Sequence, residues 1–377
     1  MSDFNADFQI QERGFFRKLD WNFIIPVLTL HTIGIINLYS ATHGMGAVQT
    51  DRLFLSQVLW LVKGWIVFLG VTLVDYQFFI RGAYILYGLN LIALVGVMFF
   101  GKVALGAQRW LDLGIFSYQP SESMKLALVL VMAKLLSQKS FADGMGLKDL
   151  AFPLLILVGV PFLVTAEQPD LGTAMMLFII GASILFFVRI RRAILVALTA
   201  VLLMGATGAW FFGLRDYQKH RIYTFLDPAR DPRGKGYNSI QSKIAVGSGQ
   251  VLGKGFRKGT QSQLEFLPER HTDFIFSVLS EEFGFLGSFF TVSVFGLLFL
   301  SMIRIAAHAR DKGGALLTVG VTAIVFWHMF INISMVIGLL PIVGIPLPLL
   351  SYGGSNMLTT MAALGLVSSV SYRKYLF

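Results

Sequence analysis

Long apolar stretches separated by short polar connections dominate the chain. They fall near 22–41, 53–74, 79–100, 120–138, 150–166, 171–188, 193–214, 285–303, 315–338 and 355–372. Each is close to the ~20 residues that a helix needs to cross a hydrocarbon layer about 30 Å thick. The pattern predicts an all-α polytopic membrane protein with about ten transmembrane helices. Gly, Pro, Ser and Thr inside several stretches fit that reading, because neighbouring helices re-satisfy backbone groups in a membrane bundle. One connection stands apart. Residues 215–272, between the seventh and eighth stretches, are far longer than a bundle connection needs. The expected organisation is a tail, 1–21, a membrane domain, 22–372, that includes the 215–272 loop, and a short tail, 373–377.

Composition supports the same class. Of 377 residues, 55% are hydrophobic and 14% charged, more apolar surface than a soluble domain hides in one core. Cysteine is absent, so no disulfide framework exists. The first 21 residues mix Arg13, Arg17 and Lys18 with Asp3, Asp7, Glu12 and Asp20 and lead into apolar sequence without a small-residue cleavage site. That reads as a cytoplasmic tail and not a signal peptide.

A net charge of +10 raises the question of nucleic acid, but its distribution points to topology and an anionic ligand instead. With both termini inside, cytoplasmic segments hold Arg13, Arg17, Lys18, Arg81, Lys134, Lys139, Lys148, Arg189, Arg191, Arg192, Arg304, Arg310, Lys312, Arg373 and Lys374. The short outer loops hold Arg52, Lys102 and Arg109. This is a strong positive-inside bias, and it places the 215–272 loop outside. No internal repeat is evident, which disfavours a repeat-built transporter.

Three polar features share the outer side. The long loop carries aromatic and aliphatic residues, which argue for a folded or membrane-resting segment. Its Gly-Lys-Gly and Gly-Ser-Gly stretches suit either a flexible surface loop or close backbone approach to phosphate. In "GAQRWLDLGIFSYQPSESMKLAL", 106–128, Pro120 suits a first helical turn and Glu122 the positive helix end. Glu122 and Lys125 are three apart and share a face; a pair of charges within a membrane marks a polar cavity or an internally neutralised helix start. In "ERHTDFIFSVLSEEFG", 269–284, Thr272 or Asp273 is placed to cap the next helix. Gly284 and Gly287 would let that helix kink, so that 273–283 line a cavity.

No Ser-His-Asp set or His/Cys metal cluster is visible, which argues against common hydrolases. A glycoside hydrolase wants two catalytic carboxylates. Glycosyl transfer from a diphosphate carrier needs one base, because diphosphate leaves unprotonated, and cations to hold its charge. The inventory fits transfer from an anionic lipid carrier at the outer leaflet.

The motifs "GAQRWLDLG", "FSYQPSESMKLAL", "AEQPDLGTA", "GYNSIQSKIAVGSG", "GTQSQLEFLPERHTDFIFSVLSEEFG" and "PLPLLSYGGS" occur in one order along residues 20–372. In them the chain resembles the SEDS family (shape, elongation, division and sporulation), most of all its rod-shape elongation branch. The resemblance implies a peptidoglycan glycosyltransferase of the bacterial inner membrane that polymerises lipid II and releases undecaprenyl diphosphate. It implies a class B penicillin-binding protein as transpeptidase partner and an elongation machinery with MreB-associated proteins. The family's essential aspartate falls on Asp273, and its glutamate and lysine on the fourth helix fall on Glu122 and Lys125. Arg109, Lys243, Arg270, Ser351, Gly353, Gly354 and Ser355 are further candidates for substrate contact. A divalent cation, Mg or Mn, is expected, with Asp273 as a possible ligand.

Other residues carry blander expectations. His328 should hydrogen-bond to a neighbouring helix, with Asn332 and Ser334 in the same polar packing. Lys63 has no evident partner. "PIVGIPLPLLSYGGS" is too rich in Pro and Gly for one helix and should form a re-entrant outer segment lining the cavity. A lipid II flippase and a non-enzymatic transpeptidase scaffold remain open. A flippase would extend its polar path toward the cytoplasmic half, whereas here the polar cluster stays outside; a scaffold would not need a carboxylate at 273.

Overall fold

The computed structural model describes residues 19–374 apart from 44–46, 105–106, 113, 115–116, 139–143, 189, 214–215, 232–233 and 265. The expected N-terminal tail lies outside the described residues apart from 19–21, and the C-terminal one apart from Arg373 and Lys374; Lys139 and Arg189 also lie outside them. The elements, in order, are α1 (Trp21–Thr42), α2 (Ala47–Leu73), α3 (Tyr76–Arg81) and α4 (Ala83–Phe100), then three short strands, β1 (Lys102–Ala104), β2 (Ala107–Asp112) and β3 (Ser117–Tyr118). There follow α5 (Pro120–Ser137), α6 (Leu147–Glu167, with a π-helical middle), α7 (Leu171–Phe186), α8 (Arg192–Gly208), α9 (Asp216–Leu226) and α10 (Lys235–Ser248). The chain ends with α11 (Ile275–Ala307), α12 (Lys312–Ile337) and α13 (Gly354–Arg373).

The fold is helical, and α1, most of α2, α4, α6, α11 and α12 are each long and apolar enough to cross a membrane, with α7 a shorter apolar helix. Side chains such as Phe99, Phe100, Ile92 and Phe186 stand 70–82% exposed, which is stable only where lipid replaces water. The strands correct the all-α expectation. The "GAQRWLDLG" region is an antiparallel sheet in the order β1-β2-β3, pairing Lys102 with Trp110 and Leu111 with Tyr118. Short connections between strands outside the helical bundle let the backbone groups there pair with one another.

Helix α5 is the hub of the bundle. It begins at Pro120, carries Glu122 in its first turn, and packs on α4, α7, α12 and α13. Its Met124, Leu128, Val129, Val131 and Met132 are fully buried. Two residues of the same helix, Glu122 and Lys125, are buried charges.

Helix α11 breaks at Gly284, where φ is 64° and ψ −159°, a region that only glycine enters readily. The break is repaired by residues 250–255 of the long loop. The amides of Lys254 and Gly255 donate to Glu281 O and Glu282 O at 3.0 and 2.9 Å, and those of Phe285 and Leu286 donate to Gln250 O and Val251 O at 2.8 and 3.1 Å. A Cβ on Gly249 would lie 2.0 Å from Ser280 O, and one on Gly253 2.1 Å from Glu282 O. These glycines therefore serve close backbone approach to α11, and the amides in the 253–255 stretch are spent on protein carbonyls, not on a phosphate. The kink expected from Gly284 is present.

Candidate active site

Asp273 is not the N-cap residue of the helix that follows. Helix α11 starts at Ile275 behind an N-cap, Phe274, that makes no side-chain cap, and the Thr272 hydroxyl instead turns back to donate to Glu269 O and Oε2 at 3.2 and 3.1 Å. The turn 269–274 is closed by its own amides, Thr272 N and Phe274 N to Glu269 O.

Instead, three successive carbonyls are gripped from outside. Tyr352 N donates to His271 O at 3.0 Å, Ser351 Oγ to Thr272 O at 2.6 Å, and Asn332 Nδ2 to Asp273 O at 2.8 Å. Asn332 Nδ2 also donates to Ile345 O at 2.7 Å. The half-buried Asp273 side chain faces Gly344: a Cβ there would sit 3.2 Å from Asp273 Oδ2, and the Gly344 φ is 83°. Glycine is thus required at 344 both for its backbone and for the space the carboxylate occupies. The 339–353 segment is non-helical, as expected, with Ile345, Leu347, Leu349 and Leu350 buried beneath it.

A second polar cluster lies in the bundle core. Lys125 Nζ donates to Glu122 Oε1 at 2.7 Å and meets His328 Nε2 at 2.7 Å, while Asn356 Nδ2 donates to Glu122 Oε2 at 2.9 Å. His328 Nδ1 lies 2.8 Å from Ile324 O. Only a protonated Nδ1 can donate to that carbonyl, so Nε2 is the acceptor from the ammonium, and the tautomer follows from the network. The expected pairing of Glu122 with Lys125 and of His328 with a neighbouring helix is what the structure contains. Asn332 belongs elsewhere: it holds Asp273 and Ile345, not the His328 cluster.

The remaining candidates are dispersed. Ser351 is a latch that accepts from Leu347 N at 2.8 Å while gripping Thr272. Gly353 N and the Ser351 carbonyl both meet the amide of Gln57 on α2, at 3.4 and 3.3 Å. Gly354 packs on Trp60, whose ring leaves no room for a Cβ. Ser355 Oγ donates to Ser117 O of β3 at 3.0 Å. Arg109 donates to Pro169 O and lies 3.6 Å from Asp170, which itself caps α7 through Thr173 N at 3.2 Å. Arg270 is buried and donates to Ala41 O at 2.7 Å. Lys243 is an exposed residue of α10 whose stem covers Gly338. Lys63 does have a partner, the Trp60 ring, 4.4 Å away.

Gln57, Gly344 and Asn356 escaped the reading from sequence, which placed Asn332 in the His328 packing and not at Asp273. Asn356 directly follows the Ser351–Ser355 run, and Asn332 follows His328 by one helical turn; those spacings were the available signals.

Along residues 20–376 the chain matches the FtsW/RodA/SpoVE family of cell cycle proteins. The chain belongs to that family. Among its relatives is the peptidoglycan glycosyltransferase MrdB of Escherichia coli K12, 44% identical over 292 residues, 77% of this chain and 78% of that one. The peptidoglycan glycosyltransferase RodA of Treponema pallidum is 32% identical over 94% of this chain and 98% of its own. Two solved structures superimpose over 95% of the chain. A member of a peptidoglycan synthase complex that coordinates polymerization and crosslinking does so with a TM-score of 0.81, at 30% identity and 99% of its length. The rod shape determining protein RodA of Thermus thermophilus does so with a TM-score of 0.70, at 28% identity and 98% of its length.

Proposed function

We propose that this protein is a peptidoglycan glycosyltransferase of the bacterial inner membrane, polymerising lipid II with Asp273 as general base. The observation that carries the proposal is the grip of Tyr352, Ser351 and Asn332 on the carbonyls of 271–273. It immobilises the main chain on either side of one carboxylate and leaves that carboxylate against a glycine. Relatives that are peptidoglycan glycosyltransferases support the activity.

In this reading ten helices span the membrane, both termini are cytoplasmic, and 215–272 is extracytoplasmic, so Asp273 stands at the outer leaflet. Asp273 accepts the proton of the acceptor sugar's 4-hydroxyl as its oxygen bonds to the donor's anomeric carbon. The bond from that carbon to diphosphate breaks, and undecaprenyl diphosphate leaves with the electron pair. Fixing the base within reach of the acceptor is the main contribution of the fold, since small displacements cost large factors in rate.

Asp273 can also hold a divalent cation, Mg or Mn, whose chemistry would be neutralisation of the diphosphate. Hard cations at such sites take one or two carboxylates and complete their shell with phosphate oxygens and water. That suits a single aspartate, because no group of three metal-binding side chains exists among the described residues. Glu122 and Lys125 orient the wall behind the site. Arg109 and Lys243 are the proposed contacts for the diphosphate, while Arg270 is spent on Ala41 O. A class B penicillin-binding protein is the proposed partner, supported by the relative from a complex that coordinates polymerization with crosslinking, with MreB-associated elongation proteins beyond it.

The test is purified protein with its cognate transpeptidase, lipid II and a divalent cation, beside Asp273→Asn. Glycan strands from wild type alone support the proposal. Strands from both exclude Asp273 as base and as metal ligand. No strands from either, with transpeptidation intact, exclude polymerisation.

A further inference from the structure

A crevice of about 320 Å³ opens between α3 and the start of α12, lined by Gln77, Ile80, Arg81, Asp311 and Lys312 among others. It lies far from Asp273. Lys312 begins α12 and Asn332, which holds Asp273, is near its other end; at 1.5 Å per residue the two are about 30 Å apart.

Two cations of the wall, Arg81 and Lys312, are exposed. A third, Lys134, reaches the rim, where its Nζ donates to Arg81 O at 2.5 Å and stands over the Tyr84 ring at 4.5 Å. None of the three forms an ion pair among the described residues.

The single carboxylate of the wall does not neutralise them. Asp311 accepts from the Tyr76 hydroxyl, from Gln77 Nε2 at 3.2 Å and from Gly314 N at 2.8 Å. Burial pushes its pKa up, but those donors outweigh it and hold the carboxyl below its ordinary range, so its charge is internally solvated. The same bonds occupy the α12 amide at Gly314, and recognition falls to the side-chain cations.

Apolar surface runs on from the basic rim. Helix α4 starts two residues after Arg81, and its row Ile85, Leu89 and Ile92 is 69%, 59% and 70% exposed. Phe78, three residues before Arg81 and on its face of α3, is also exposed. Unneutralised cations above a continuous apolar wall match a ligand with a phosphate head and acyl tails; an acidic peptide would leave that wall without use.

We propose that this crevice binds the phosphate headgroup of an anionic phospholipid on the cytoplasmic face, with the acyl chains along α4. The recognised chemistry is the phosphate itself.

The full-length protein is purified in phosphatidylcholine nanodiscs, released, and scored by native mass spectrometry for retained phosphatidylglycerol as that lipid is titrated in. Arg81→Gln/Lys312→Gln is compared with Lys148→Gln/Arg304→Gln, a pair of exposed basic residues outside the crevice. All four side chains are on the surface, so unchanged melting temperatures check the fold. The crevice pair should weaken retention about thirtyfold, at the usual gain per basic residue near a membrane surface, and the control pair should not. Equal loss in both pairs, or in neither, overturns the site. Displacement of the lipid by millimolar inorganic phosphate reassigns the occupant to free phosphate. Binding of poly-glutamate without any retained lipid overturns the lipid in favour of an acidic partner. The readout uses no lipid II, so its failure leaves the glycosyltransferase proposal untouched.

Discussion

Lys125→Met is the sharpest test of the core cluster. The ammonium has 2% side-chain exposure and donates to Glu122 Oε1 and His328 Nε2, each at 2.7 Å. Methionine keeps the length of the stem and removes both bonds. Glu122, with 8% side-chain exposure, is left with Asn356 as its described partner and no cation beside it. Removing one member of a buried pair costs about 3–5 kcal/mol, and an abandoned acceptor on His328 adds about 1–3 kcal/mol. The expected outcome is a fall in melting temperature of roughly 10 °C or more, followed by tryptophan fluorescence in detergent. Glu122→Gln alone should be similarly damaging, because it strands the lysine. The double variant Glu122→Gln/Lys125→Met removes both charges and should recover most of the loss, a coupling of about 3 kcal/mol in a double-mutant cycle. Single losses that simply add in the double variant would refute the pairing as an energetic unit.

Asp273→Asn should abolish polymerisation of lipid II while shifting the melting temperature by less than a few degrees, since the substitution keeps the side chain's shape and the N-cap residue is Phe274; a large thermal loss would mark it as structural. Asn332→Leu removes the donor to both Asp273 O and Ile345 O, and a base displaced by about 1 Å should lower kcat by about 100-fold with KM little changed; unchanged kcat would refute the positioning role. Gly284→Ala puts a Cβ 2.4 Å from Gly253 N at a φ of 64° and should cost about 3 kcal/mol or more, whereas Gly296→Ala, with open space around it, should be neutral or mildly stabilising in the same melt. His271, in the turn before α11, is held below its ordinary pKa of 6.5 by burial first and by the Arg270 charge, with Glu269 opposing. The unfolded chain then takes up its proton more readily, so stability should fall as pH drops below 6.5, and His271→Gln should flatten that dependence in melts between pH 7.5 and 5.5.

Much of this architecture is legible in one dimension because membrane helices are specified by composition and length. The Glu122–Lys125 pair was legible for the same reason: two charges three residues apart on a membrane helix have few other ways to coexist. The strands between α4 and α5 were not, because at two to six residues each they are too short to show a clear alternation of apolar and polar positions. The glycines of the long loop were ambiguous in sequence, since close backbone approach and anion binding use the same residue. What decides between them is the partner of the amides, here the carbonyls released by the break at Gly284.

Asn332 shows a different limit. In sequence it lies four residues after His328, and the shared face made common packing the natural expectation. The face is shared, yet the two side chains reach different neighbours: His328 meets Lys125 of α5, and Asn332 meets Asp273 and Ile345. One turn of α12 therefore joins the core ion pair to the backbone of the proposed base. Helix α13 makes a second connection, because Asn356 holds Glu122 while Ser351 and Tyr352, just before that helix, hold Thr272 and His271. Two rigid helices thus run from the Glu122–Lys125 pair to the carbonyls around Asp273. A change at Lys125 that shifts α12 should be felt at Asp273 without any direct contact between the two side chains. That coupling gives the buried charges a reason to be retained where an apolar pair would pack as well.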